Sequence, residues 1–121
     1  MKRYIAFLLT LLCGCAAFVP AGSASSPREL FLVHPGASRV QVVADWNLWG
    51  GADGPSGRFE PWVGTMNETS PGRWAVPVLE DLPRGRHRYA FLVDGMRVVP
   101  DPMCPDRSAW RGMDVSVLVV R

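Results

Sequence analysis

The stretch HRYAFLVDG, residues 87–95, decides the fold. Tyr89, Phe91 and Val93 occupy every second position and so share one face of an extended chain, because side chains of a strand point alternately to its two sides. Asp94-Gly95 follows at once, a pair suited to the positive backbone dihedrals of a tight hairpin turn, and Met96–Val99 supplies the returning strand.

Working outward, the same period recurs. In RWAVPVLE, residues 73–80, Trp74, Val76 and Val78 alternate, while Pro77 removes a ladder donor and predicts an edge strand or a bulge. ELFLVH (29–34), the turn residues Pro35-Gly36-Ala37-Ser38 and RVQVVADW (39–46) together predict a hairpin, with Val40, Val42 and Ala44 on one side and Trp46 continuing that side into the core. VSVLVV (115–120) is apolar on both faces, as a central strand would be. Between Asn47 and about Gly72 no periodic run stands out, and a connection of that length predicts either a short strand near Phe59–Val63 or a functional loop. No segment carries a helical period. Six or seven short strands punctuated by turn residues describe an all-β chain, an immunoglobulin-like β-sandwich of about seven strands.

The N-terminus is of a different kind. A basic start, MKRY, precedes the apolar run IAFLLTLL and then small residues, which reads as an export signal too short to span a bilayer of roughly 20 helical residues. Leu12-Cys13-Gly14-Cys15 has the form of a bacterial lipobox, making 1–14 the signal and Cys15 the lipidated first residue; Gly22-Ser23-Ala24 offers an alternative cleavage after residue 24. Residues 15–28, rich in Ala, Ser and Pro, read as a tether, and 29–121 as the sandwich. The expected location is the bacterial cell envelope, held to the membrane through a lipid anchor or, with the alternative cleavage, soluble in the periplasm.

Composition excludes several functions. Once Lys2 and Arg3 leave with the signal, acidic and basic residues balance and every remaining cation is arginine, which argues against a sequence-blind nucleic-acid binder. With Cys13 and Cys15 in or at the end of the signal, Cys104 is left without an intramolecular disulfide partner. Two histidines and no CxxC pair supply too few ligands for zinc, and no cofactor is implied. His34 and His87 fall into no nucleophile–base order, and the acidic residues stand at turns and strand ends with nothing to desolvate them, so no catalytic residues are assigned.

The ordered series W-N-x-W (46–49), G-x-W (72–74), Y-x-F-x-V-D-G (89–95) and D-P (101–102) resembles the early-set sandwich of family 48 carbohydrate-binding modules, which includes the glycogen-binding domain of AMP-activated protein kinase β subunits and the N-terminal modules of branching enzymes. The resemblance spans residues 29–120. It implies a non-catalytic module that binds α-glucan or a related polysaccharide, with Trp49 as the stacking platform beside Asn47. Family contacts that would fall at Ala90, Arg97, Met113 and Val115 are not retained in type.

Three further residues are candidates for a sugar site. Trp62 and Trp110 lie in Pro- or Arg-containing loops, where each either adds a second platform or covers an end of the sandwich. Arg97 either donates paired hydrogen bonds to sugar hydroxyls or keeps a strand end solvated. The alternative to sugar binding is a protein-interaction module that docks on an envelope or glycan-processing partner after losing its sugar site.

Overall fold

A computed structural model describes residues 28–121; the signal, lipidation and tether assignments, save for Arg28, lie outside the described residues. The chain is an all-β sandwich. Its strands are β1 (Glu29–Val33), β2 (Val40–Ala44), β3 (Asn67–Ser70), β4 (Arg73–Pro77), β5 (Gly85–Val93), β6 (Arg97–Val99), β7 (Arg107–Trp110) and β8 (Met113–Val120). One sheet runs β1-β4-β3; the other runs β2-β5-β8-β7, with β6 also paired to β5, and all pairings are antiparallel.

The alternation around residue 89 builds the centre. Tyr89, Phe91 and Val93 face the other sheet and meet Leu30, Leu32, Val42 and Trp74 in the main core. The Asp94-Gly95 turn closes the β5–β6 hairpin with Phe91 opposite Val99 and Val93 opposite Arg97. β8 lies between β5 and β7, as its two apolar faces require.

The structure corrects one sequence expectation and decides between the alternatives of others. β1 and β2 do not form a hairpin: β1 pairs with β4 and β2 with β5, so the turn at Pro35-Gly36 carries the chain from one sheet to the other. β4 is the middle of its sheet rather than an edge. Pro77 is tolerated because it is the last residue of β4, opposite Glu29 of β1, beyond the reach of β3, whose pairing stops at Ala75. Residues 59–63 form no strand; β3 comes later, at four wholly exposed residues whose polarity hides the period. With β3 and β7 added the strands number eight, in keeping with the expected sandwich of about seven.

Both faces of the larger sheet are covered. β2 is buried along its whole length, because Val43, Ala90, Leu92 and Val115, on the face away from the main core, pack under Trp49, Ala52 and Trp110 as a second apolar cluster. The segment from Leu48 to Glu60 therefore roofs the outside of this sheet. At the far side of the sandwich Tyr89 donates a 2.6 Å hydrogen bond to buried Asp101, whose backbone N–H reaches Ser116 Oγ at 2.7 Å. Burial and the neighbouring Asp101 push the Tyr89 phenol far above its ordinary value, so it stays protonated and pins the 101–104 turn. Cys104 is a free thiol with no partner among the described residues, its Sγ 3.1 Å from the carbonyl of Val117.

Candidate binding surfaces

The expected sugar platform is closed. Trp49 is only 2% exposed, and its indole lies flat on Trp110 with ring centroids 4.4 Å apart and planes 9° from parallel. The expectation that Trp49 stands ready as a stacking platform is corrected by the backbone itself. Leu48, Trp49 and Gly50 adopt three consecutive left-handed conformations, with φ of 55°, 51° and 67°, which turn the Trp49 ring back over the sheet. Gly50 is needed there, since a Cβ would stand 2.5 Å from the Val43 side chain.

Hydrogen bonds hold this turn. Asn47 Oδ1 accepts from the N–H groups of Ala44 and Gly50, both at 2.9 Å, while its Nδ2 donates to the Val42 carbonyl at 2.8 Å. Asn47 thus holds the loop. Asp45 accepts from Trp49 Nε1 at 3.0 Å and from the backbone N–H and guanidinium of Arg88. Burial raises the Asp45 carboxyl, but the bonds from Arg88 and Trp49 outweigh it and leave the group below the ordinary carboxylate range. Trp110, also buried, donates to Asp53 Oδ2 at 3.1 Å, and Arg111 clamps the same carboxylate at 2.7 Å. Trp49, Asn47 and Trp110 are therefore engaged in fastening the roof to the sheet.

Arg97 is exposed at the start of β6 and donates to His34 Nε2 at 3.1 Å, and it lines neither of the cavities described below. Trp62 is the opposite of Trp49. It is 71% exposed and stands at the edge of a shallow cleft of about 420 Å³ formed with Ser56, Arg58, Phe59, Glu60 and Pro61.

The turn that carries Trp62 is held from beneath. Gln41, fully buried on β2, donates both hydrogens of its amide, one to the Glu60 carbonyl at 2.9 Å and one to the Val63 carbonyl at 2.8 Å. Glu60 N–H reaches the Gly50 carbonyl at 2.7 Å, which ties the turn to the roof. Beyond it, Gly64–Met66 runs along the free edge of β2, where a Cβ on Gly64 would collide with the Val42 carbonyl. Sequence reasoning missed Gln41. A glutamine at an otherwise apolar strand position was the available signal, because a fully buried amide must find partners.

Trp46, expected in the core, is half-buried. One side packs near Tyr89 and the edge of His87, with centroids at 6.2 and 6.1 Å. It also lines a half-open groove of about 230 Å³ with Leu30, Val42, Val76, Val78 and Leu79.

No family model matches the chain, and no curated protein does. The chemistry of the two cavities must therefore be read from their walls. The Trp62 cleft combines a flat apolar ring with a guanidinium, a carboxylate and a hydroxyl, the last two joined by a 2.8 Å bond from Ser56 Oγ to Glu60 Oε2. It can stack on one face of a ligand and hydrogen-bond its rim. The Trp46 groove is walled mostly by hydrocarbon; its polar residues are Thr65 and Asn47, and the Asn47 amide is already bonded to the backbone. Among the described residues no three His, Cys, Asp or Glu side chains converge to hold a metal.

Proposed function

We propose that this chain is a non-catalytic carbohydrate-binding module of the bacterial cell envelope, related to the family 48 modules, whose platform is Trp62 in place of Trp49. One observation carries the proposal: a tryptophan 71% exposed on a turn clasped by a fully buried glutamine. Exposed indole is costly to keep in water, and fixing its backbone in advance lowers the entropy lost on binding, the combination used by aromatic anchors of recognition surfaces. A pyranose presents a flat C–H face to such a ring and hydroxyls at its rim, where Arg58 donates and Glu60 accepts.

The resemblance points to α-glucan as the polysaccharide. Retention of the purified protein on insoluble amylose or glycogen, with cellulose as the control, tests this directly. Selective retention that is lost in Trp62→Ala supports the assignment. Absence of retention on all three matrices removes it and passes the exposed Trp62 surface to a protein partner at the envelope.

A further inference from the structure

The groove beside Trp46 is apolar, open to solvent and unfilled by any described side chain. Leu79, on its rim, is 54% exposed. The described chain begins on that same rim: the Arg28 carbonyl accepts from Val78 N–H at 2.9 Å, and Val78, Leu79 and Leu30 all line the groove. Arg28 therefore stands beside the groove wall, and the chain upstream of it joins the sandwich at this rim.

Upstream, Ala21–Pro27 is a run of small residues and proline, preceded by Ala16-Ala17-Phe18-Val19-Pro20, in which Phe18 and Val19 are the only bulky side chains between Cys15 and Arg28. Seven extended residues span up to about 25 Å at roughly 3.3–3.6 Å each, enough to turn back over the rim. The groove has room for the ring, since an apolar cavity of about 150 Å³ already accepts benzene and this one measures about 230 Å³. A sugar does not fit its chemistry, for its wall offers few free polar groups.

We propose that the Trp46 groove is the dock for the chain's own segment Ala16–Pro20, with the Phe18 ring lodged against Trp46, Val78 and Leu79. The segment read from sequence as a tether then acts as a latch that fixes the sandwich relative to Cys15. Under the lipobox assignment, the groove end would be held against the membrane, only a few residues from the anchor.

The test places a photoreactive diazirine phenylalanine at position 18 of the full chain, irradiates the folded protein and maps the adducts by mass spectrometry. Adducts within one molecule on Trp46 or on residues 76–79 are expected, falling severalfold in Leu79→Asp, a change at an exposed position that leaves the fold intact. Adducts scattered over the surface, adducts between two copies, or a mature chain that begins beyond residue 18 would each overturn the proposal.

Discussion

Trp49 and Trp110 lie face to face 4.4 Å apart, one on the loop after β2 and the other at the end of β7, and each indole N–H is bonded to an aspartate, Asp45 or Asp53. The pair joins loop to sheet across the second apolar cluster. Trp49→Ala should therefore cost roughly 3–5 kcal/mol, as loss of a buried tryptophan does, out of the 5–15 kcal/mol typical of a whole domain. A sharp fall in melting temperature checks it. A melt unchanged from the parent would mean that the roof contributes little.

The Asp45 carboxyl gives acid sensitivity a direction. Its pKa is lower in the folded chain than in the unfolded one, so the unfolded state takes up the proton first as pH falls. The stability contributed by Asp45 is complete above the ordinary carboxylate range near pH 4 and is lost as pH falls through the folded-state value below it. Asp94, lowered by the backbone N–H groups of Ser38 and Arg39, acts in the same sense. Thermal melts of Asp45→Asn stepped from about pH 6 to pH 3 should show a weaker dependence on pH than the parent, whose stability should drop across the lower end of that range.

The sandwich was legible in the sequence wherever large apolar side chains repeat along a strand between clear turn residues. The alternation of Tyr89, Phe91 and Val93 and the Asp94-Gly95 turn give β5 and β6 directly, and the doubly apolar run at 115–120 gives a central β8. β3 was not legible because Asn67–Ser70 is exposed on both faces and carries no period. The pairing of β1 with β4 was hidden too, since a short turn between two strands does not say whether the second strand joins the same sheet. At the site, Trp49 was misread for a local reason. Alternation fixes the direction of Trp46 only while the strand lasts, and the three left-handed residues that follow reverse the chain in a way no period records. Trp62 was visible as a candidate, but the clasp that makes it rigid joins Gln41 to carbonyls 19 and 22 residues away.

Gln41 sits beneath the Trp62 turn and should couple folding to binding. Gln41→Leu keeps the approximate volume but leaves the carbonyls of Glu60 and Val63 without their donors, a loss of about 1–3 kcal/mol when such groups stay away from water. The turn should loosen before the sandwich does. Amide exchange at residues 60–64 is expected to accelerate more than exchange in β5, and carbohydrate affinity to fall although Gln41 lies beneath the surface. Uniform acceleration across the whole chain would instead make Gln41 a general core residue.

Trp62 separates binding from stability most cleanly, because its ring is mostly in water and carries little of the fold. Trp62→Ala should leave the melting temperature within the small range expected of surface substitutions, about 0.5 kcal/mol or less. If the ring is the platform, the same change should weaken glucan binding by about 1–2 kcal/mol, roughly five- to thirty-fold in Kd, since one aromatic supplies much of the energy of a small site. Arg58→Ala and Glu60→Ala, which remove the rim groups, should each reduce affinity by a smaller factor without abolishing it. Titration of the three variants against soluble maltooligosaccharides, beside thermal melts of each, resolves these effects. Equal affinity in Trp62→Ala and the parent would take the platform away from Trp62, and with Trp49 and Trp110 stacked on each other and buried, only half-buried Trp46, in its apolar groove, would be left for a sugar to reach.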